Sequence, residues 1–277
     1  MRTIPLEDEF GDVIRKARVG LVLSHEMVSR RAGLPVPELE KAERYLLVPG
    51  DEAVRKLAEA LDLKATALLD LAHKRYEPAT TAFESLGAAA MVSGDYGGGV
   101  VNCYAAWDSS SREGAFFDTG VDFAALERLQ ARHGFEVRHV FVTHTHGDHI
   151  AVLGEVQRRW KPVVVAGANE PLRGAKMVER DTAFALGALN VKAFPTPGHS
   201  PGGLSFYVEG FGAGRPALCV CGDTLFAGSA GGPMHSYEAL MNSVRWKLLV
   251  LDDDTILCPG HGSLTTVGGE KRHNPFA

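Results

Sequence analysis

The chain has 277 residues and a formal net charge of −5 at neutral pH, which allows one or two domains and gives no overall electrostatic reason to bind nucleic acid or an anionic membrane. It has no long apolar stretch and its first ten residues are acidic, so we expect neither a spanning helix nor a signal peptide, and a cytoplasmic location. Four scattered cysteines are too few for a disulfide scaffold, and we expect Cys219 and Cys221 to be buried and reduced.

Residues 7–72 predict a bundle of short helices, and we place the end of this first domain (residues 1–75) near His73–Thr81. Ser24 is suited to begin its second helix and Gly33 to end it. The segment resembles the lambda-repressor-like helix-turn-helix family of bacterial regulators. The resemblance rests on Leu23-Ser24, Arg30-Arg-Ala-Gly-Leu34, Glu43, Pro49 and Leu57-Ala-Glu-Ala-Leu61.

In that family the third helix lies in the major groove of DNA. Here the corresponding stretch, Pro35–Leu39, lacks side chains that read bases, and residues 1–75 contain 13 basic and 13 acidic residues. Arg30, Arg31 and Arg44 could still contact phosphates. DNA binding through residues 7–72 is therefore one expectation, and a structural role or homodimerisation is the other. A mobility-shift assay at low salt with random duplex distinguishes them.

The second domain, residues 76–277, alternates short apolar strands with glycine-rich turns. Strands are predicted at Phe83–Val92, Val100–Trp107, Gly114–Phe117, Val137–Val142, Pro162–Ala166, Val191–Phe194, Leu204–Val208, Ala217–Cys221 and Thr255–Cys258, with a turn at Ser93–Gly99. Helices are predicted at Phe123–His133, Asp148–Trp160 and Glu170–Leu186.

The segment Thr143-His-Thr-His-Gly-Asp-His149 follows one of these strands and precedes a helix. His144 and His146, two apart in extended chain, should point the same way, whereas Asp148 and His149 turn off as the helix begins. Imidazoles and carboxylates suit Zn²⁺ or another first-row divalent metal. The loop therefore predicts ligands directed at two neighbouring points.

Three further strand ends complete the predicted ligand sets. His199 lies between prolines and glycines, and Asp223 and His261 each follow a later strand. We expect one metal ion on His144, His146, His199 and Asp223, and a second on Asp148, His149, His261 and the same Asp223. Zinc is the expected metal, with iron or manganese as alternatives.

Asp118, at another strand end, is either a carboxylate that orients a ligand imidazole or a turn cap. His235 could approach the pocket. The remaining histidines have no partner at ligand spacing, so we expect them to be surface or packing residues: His25, His73, His133, His139 and His273.

This ordered set, with Asp118-Thr-Gly120, resembles the metallo-β-lactamase superfamily over residues 80–277. The resemblance implies an α+β fold, an αββα sandwich with metals at one edge, preceded here by the small all-α bundle. Four motifs are similar to those of the short glyoxalase II-like hydrolases: Thr196-Pro-Gly-His-Ser-Pro-Gly-Gly203, Gly222-Asp-Thr-Leu-Phe226, Pro259-Gly-His-Gly262 and Glu270-Lys-Arg-His-Asn-Pro-Phe276.

We therefore predict a two-metal hydrolase for a thioester or similarly activated acyl substrate, in which Asp148 and Asp223 orient the attacking water. One alternative is a persulfide dioxygenase, which uses a single iron on the same scaffold. Another is a transcription regulator whose second domain senses a metabolite or a metal.

Overall fold

The helical part of the chain is built as the sequence predicts. A computed structural model describes residues 5–78 and 82–277, and no helix within those ranges is long and apolar enough to cross a bilayer. Ser24 Oγ accepts a hydrogen bond from the Met27 amide, and Gly33 ends the helix at φ +65°. The first five helices are α1 (Phe10–Gly20), α2 (His25–Ala32), α3 (Val36–Glu43), α4 (Asp51–Ala60) and α5 (Ala65–Ala72).

A buried ion pair links α1 to α3. Glu43, 6% exposed, accepts hydrogen bonds from Arg18 Nε at 2.6 Å and Arg18 Nη2 at 2.7 Å, and lies 3.1 Å from His25 Nε2. Such a bidentate pair fixes the relative orientation of two helices. The identification of this bundle as a helix-turn-helix, and its DNA binding, stay predictions.

The rest of the chain forms two six-stranded mixed sheets. The first has the order β1-β2-β3-β4-β5-β6 and the second β14-β13-β10-β9-β8-β7. The first comprises β1 (Ala89–Tyr96), β2 (Gly99–Trp107), β3 (Glu113–Phe117), β4 (Glu136–Phe141), β5 (Val163–Gly167) and β6 (Lys176–Val178). The second comprises β7 (Thr182–Leu186), β8 (Leu189–Pro195), β9 (Leu204–Glu209), β10 (Leu218–Gly222), β13 (Ile256–Pro259) and β14 (Thr265–Thr266), and β11 (Leu225–Phe226) pairs with β12 (Ser229–Ala230).

Aromatic side chains fill the space between the two sheets. The ring of Phe141 lies 5.2 Å from that of Phe117 and 5.1 Å from that of Phe206, which belongs to the opposite sheet. Leu126 and Val156 bring two helices onto the same core. The other helices are α6 (Ala82–Ser85), α7 (Phe123–His133), α8 (Gly147–Ile150), α9 (Leu153–Trp160), α10 (Tyr237–Ser243), a π-helical turn (Val244–Leu248) and α11 (Val267–His273).

The helical bundle packs against the second sheet. One buried apolar cluster contains bundle residues such as Ile14 and Leu57 together with Cys219, Cys221 and Leu257. The buried, free state expected for Cys219 and Cys221 is thus confirmed. The domain boundary between residues 75 and 76 stays a prediction, and residues 79–81 of the predicted junction lie outside the described ranges. The helical bundle and the second sheet therefore share one buried hydrophobic layer.

Four local predictions were wrong. The predicted helix Glu170–Leu186 is occupied by β6 and β7, and the predicted helix Asp148–Trp160 is divided into α8 and α9. The predicted strand Phe83–Val92 begins with a helical turn and becomes extended only at Ala89, and the predicted turn Ser93–Gly99 is strand as far as Tyr96. In two of these segments a strand partner overrides the local propensity: β2 extends β1 as far as Tyr96, and β8 pairs with β7.

Candidate metal centre

Four strand ends meet at one edge of the two sheets and carry the candidate ligands, and a fifth, the end of β3, carries Asp118. Backbone hydrogen bonds hold the loops together: the Asp118 amide donates to Phe141 O at 2.8 Å, and the Gly260 amide donates to Gly222 O at 3.0 Å. A third, from the Leu204 amide to Thr143 O, is 2.8 Å long. Side chains that follow these strands therefore converge on a common centre.

The first cluster consists of three histidines. His146 Nδ1 lies 2.9 Å from His144 Nε2 and 3.0 Å from His199 Nε2. Three nitrogen atoms bound tetrahedrally to one zinc ion would stand roughly 3.3 Å apart, given Zn–N bonds of about 2.0–2.1 Å. The observed spacing is close to that of such a triad.

The second cluster consists of Asp148, His149 and His261, whose ligand atoms lie within 4.8 Å of one another. Asp148 Oδ2 is 3.2 Å from His261 Nε2 and 3.7 Å from His149 Nε2. His149 is fully buried, whereas Asp148 and His261 are partly exposed. Solvent therefore reaches Asp148 and His261 but not His149.

Asp223 lies between the two clusters. Its Oδ2 is 3.5 Å from His199 Nε2 and 3.4 Å from His261 Nε2, and its Oδ1 is 3.3 Å from His149 Nε2. Within residues 5–78 and 82–277, Asp223 Oδ1 and His149 Nε2 are buried without a hydrogen-bond partner. Because burying unpartnered polar atoms is costly, these two atoms fit the binding of a cation.

A second set of groups holds the imidazoles in place. Asp118, 1% exposed, brings Oδ2 to 2.7 Å from His149 Nδ1 and accepts from the amide and hydroxyl of Thr143, each at 2.7 Å. Thr143 Oγ1 lies 3.1 Å from His144 Nδ1. The carbonyl oxygen of Gly232 lies 2.9 Å from His199 Nδ1, and that of Val100 lies 2.8 Å from His261 Nδ1. These contacts favour protons on Nδ1, which leave the four Nε2 lone pairs directed at the centre.

The carboxylates make the centre favourable for positive charge. Burial lowers the pKa of His149, but Asp223 and Asp118 outweigh burial and raise it to about 10. Burial likewise lowers the pKa of His261, and hydrogen bonds to Asp148 and Asp223 raise it to about 11. Burial dominates at His144, whose pKa is well below its ordinary value. A divalent cation would satisfy the same field without protonating any ligand.

The structure brings all seven predicted ligands together: His144, His146, Asp148, His149, His199, Asp223 and His261. Their assignment to particular ions stays a prediction. The position of Asp118 is that of the orienting carboxylate, not of a turn cap alone. His235 is exposed. The other histidines have partners elsewhere, for example Glu43 for His25 and Trp107 for His133.

Sequence reasoning missed Glu170. This acid is 3% exposed, and its Oε2 accepts from the Thr145 amide at 2.9 Å while its Oε1 accepts from the Gly202 amide at 3.0 Å. It therefore ties the loop of His144 and His146 to the loop of His199. Glu170 could have been predicted as a site residue because it closely follows β5, whose end lies at the same sheet edge as the ligands.

A two-sheet sandwich with a histidine and aspartate cluster at one edge defines a class of metal-binding α+β proteins. A family model described as "Metallo-beta-lactamase superfamily" matches residues 96–261, and the chain belongs to this superfamily. The helical bundle lies outside the matched range.

The chain is also similar to individual proteins. The chain is 30% identical over 201 residues to a protein named "Hydroxyacylglutathione hydrolase GloC" from Haemophilus influenzae, across 63% of this chain and 92% of that protein. The solved structure of ETHE1 from Myxococcus xanthus is 25% identical, with a TM-score of 0.59, covering 67% of this chain and 83% of that one. TTHA1623 in a di-iron-bound form is 26% identical, with a TM-score of 0.56, covering 67% of this chain and all of that one (100%).

Proposed function

We propose that the protein is a dinuclear metal-dependent hydrolase that acts on a thioester or a related activated acyl substrate. The observation that carries this proposal is the position of Asp223, which faces His199 and His261 with one oxygen and His149 with the other. A carboxylate placed between two sets of ligands is suited to a pair of ions. The similarity to a protein named as a hydroxyacylglutathione hydrolase supports the substrate class.

The ligand types support zinc, with iron or manganese as alternatives, because imidazole and carboxylate donors suit all three. The similarity to a protein solved in a di-iron-bound form supports the count of two ions and leaves the element open. Two such ions would supply polarisation of an acyl carbonyl and a water of lowered pKa.

The chain's own residues would position the reactants. Asp148 and Asp223 can accept hydrogen bonds from a water molecule and so orient it towards the acyl carbon. Burial raises the pKa of Asp148, but His261 and His149 together outweigh burial and lower the pKa to about 2, so this carboxylate stays ionised at neutral pH. His146, Asp148 and His261 are partly exposed, which gives an acyl group access to the centre from their side.

The test combines elemental analysis of the purified protein with a panel of acyl-thioesters, lactones and phosphodiesters. We expect about two equivalents of metal per chain, and thiol release from thioesters that stops on chelation and returns on adding the metal back. His261→Ala should abolish turnover, and His235→Ala, which removes a nearby exposed histidine, should not. Metal-replete protein that hydrolyses lactones or phosphodiesters but no thioester would refute the proposed substrate class.

A second candidate is a persulfide dioxygenase with a single iron ion. The similarity to ETHE1 fits this candidate as well, and two histidines with one carboxylate are the usual ligands of non-haem iron oxygenases. His199 and Asp223 with His144 could provide that set. One equivalent of iron, together with oxygen uptake on adding glutathione persulfide, would favour this candidate over the hydrolase.

A further inference from the structure

One short segment touches ligands of both clusters. Residues 225–232, here called the ligand-side hairpin, comprise β11, β12 and two following glycines. The Phe226 ring lies edge-on to the His261 ring, with centroids 5.8 Å apart, and Gly232 O lies 2.9 Å from His199 Nδ1. Gly231 packs so tightly that an added Cβ would lie 1.7 Å from Asp223 O. The ligand-side hairpin therefore contacts three candidate ligands: His199, Asp223 and His261.

A lysine of the helical bundle holds the ligand-side hairpin. Lys16 on α1 donates from Nζ to Ala230 O at 2.8 Å, and its ammonium lies 4.9 Å from the centroid of the Phe226 ring. The same ammonium pairs with Asp8 Oδ2 at 2.5 Å. The side chains of Lys16 and Asp8 are 16% and 8% exposed, so water can replace little of this contact.

The residues before α1 also contact the loop that carries His261. Gly262, which follows His261, has φ +71°, and an added Cβ would lie 2.7 Å from the backbone nitrogen of Glu7. Ser263 Oγ donates to Pro5 O at 3.4 Å. The start of the helical part thus packs directly on the loop that carries His261.

We propose that Lys16 is a positioning residue for the metal centre, and that the helical bundle is through it a structural part of the candidate active site. Lys16 acts through Ala230 and Phe226 and touches none of the candidate ligands itself. The role rests on the proposed metal centre but does not depend on which substrate is hydrolysed.

The chemistry of the contact explains why a lysine is needed. The ammonium of Lys16 donates to both the Asp8 carboxylate and the Ala230 carbonyl, and its positive charge also favours its place over the Phe226 ring. Methionine has a similar length and fills the same space, but it removes the ammonium donor from both oxygens and leaves Ala230 O with the longer, 3.4 Å hydrogen bond from Ser229 Oγ. The hairpin would then be held less tightly, and its contacts with His199, Asp223 and His261 would loosen.

The test measures metal binding of the full chain. Apo-protein is titrated with Co²⁺, and the affinity of each equivalent and the visible spectrum of the bound ion are recorded for Lys16→Met and Lys16→Arg. Groups that orient metal ligands typically contribute 10- to 100-fold in affinity, so we expect Lys16→Met to bind at least one equivalent roughly 10-fold more weakly or worse, with an altered spectrum. Lys16→Arg, which keeps a cationic donor, should restore most of the affinity.

Lys64→Met is the matched control. Lys64 also belongs to the helical bundle, and its Nζ donates at 2.7 Å to Lys271 O, a carbonyl of the second segment that lies outside the ligand-side hairpin. We expect it to lower thermal stability to a similar degree and to leave cobalt affinity and spectrum unchanged. If Lys16→Met does not fold, Asp8→Asn carries the test, since it removes the anion that holds the ammonium, and should weaken cobalt binding by a smaller factor.

Two results would overturn the proposal. The first is cobalt binding by Lys16→Met, or by Asp8→Asn in its place, that equals wild type; the second is an equal loss of affinity in Lys64→Met. If the wild type binds two equivalents of cobalt and hydrolyses no thioester, the proposed substrate is wrong, but the comparison of the variants still decides the role of Lys16.

Discussion

Asp118→Asn is the most informative single substitution at the centre, because it changes one atom of a fully buried side chain. Asp118 Oδ1 accepts from the Thr143 amide, and Oδ2 accepts from Thr143 Oγ1 and lies 2.7 Å from His149 Nδ1. An asparagine can keep the first contact. Its NH₂ group would then face the other two partners, both of which are donors.

The size of the effect follows from these contacts. A buried donor left without an acceptor costs about 1–3 kcal/mol. His149 can relieve the conflict by moving its proton to Nε2, but that nitrogen faces Asp223 and the centre, so the residue would lose its metal-binding lone pair. We therefore expect metal affinity at the second cluster to fall about 10- to 100-fold, or about 1.4–2.8 kcal/mol.

The assay is competitive metal titration combined with thermal unfolding of the apo-protein. Asp122→Asn is the control, because Asp122 caps α7 by accepting from the Ala125 amide at 2.9 Å and asparagine caps a helix equally well. We expect the control to behave as wild type. Wild-type affinity for two equivalents in Asp118→Asn would refute the argument that this carboxylate sets the protonation of His149.

Three further predictions concern the centre and the bundle. Asp223→Ala should weaken both metal equivalents, which elemental analysis after dialysis checks; loss of only one would contradict a shared carboxylate. In Gly260→Ala the new methyl group would lie 2.2 Å from Asp223 Oδ1. We therefore expect metal affinity to fall roughly tenfold or more while the circular dichroism spectrum stays unchanged. The control is Gly50→Ala, which has open space around its new methyl group and should bind metal as wild type does. Burial raises the pKa of Glu43, but Arg18 and His25 together outweigh burial and lower it below 4.5. The ion pair therefore stabilises the fold above that pH, and this stabilisation is lost as pH falls through the folded pKa. We therefore expect Glu43→Gln to lower the free energy of unfolding by about 1.5–3 kcal/mol at pH 7, and by progressively less below pH 4.5. Denaturant titrations measure this loss, and a loss that does not change with pH would refute the ion-pair explanation.

The ligand residues could be found from sequence because their chemistry is local. His144, His146, Asp148 and His149 fall within one short loop, and His199, Asp223 and His261 each follow an apolar strand next to glycine. Strands of a sheet end at shared edges, so side chains far apart in the chain could be expected to meet. The groups that orient them were harder to find, because the Gly232 and Val100 carbonyls belong to the backbone and carry no residue signature.

The helix wrongly predicted at residues 170–186 shows why part of the secondary structure was harder to predict. Residues 170–186 are rich in alanine, leucine, arginine and glutamate, which favour helix in isolation. Yet β7 alternates exposed Ala183 and Ala185 with buried Phe184 and Leu186, which is the period of a strand. Its pairing with β8 decides the conformation, and that partner was not visible from the segment itself. The contact of Lys16 with Ala230 was invisible for the same reason, since 214 positions separate them.

The four buried cysteines can serve as probes of partial unfolding. Cys103 and Cys258 lie in the core between the sheets, whereas Cys219 and Cys221 lie in the layer under the helical bundle. Burial raises the pKa of all four thiols, so alkylating reagents will modify each one only when its surroundings open. The order in which these thiols become labelled, followed by mass spectrometry, will reveal whether the bundle lifts from the sheet before the sandwich itself comes apart.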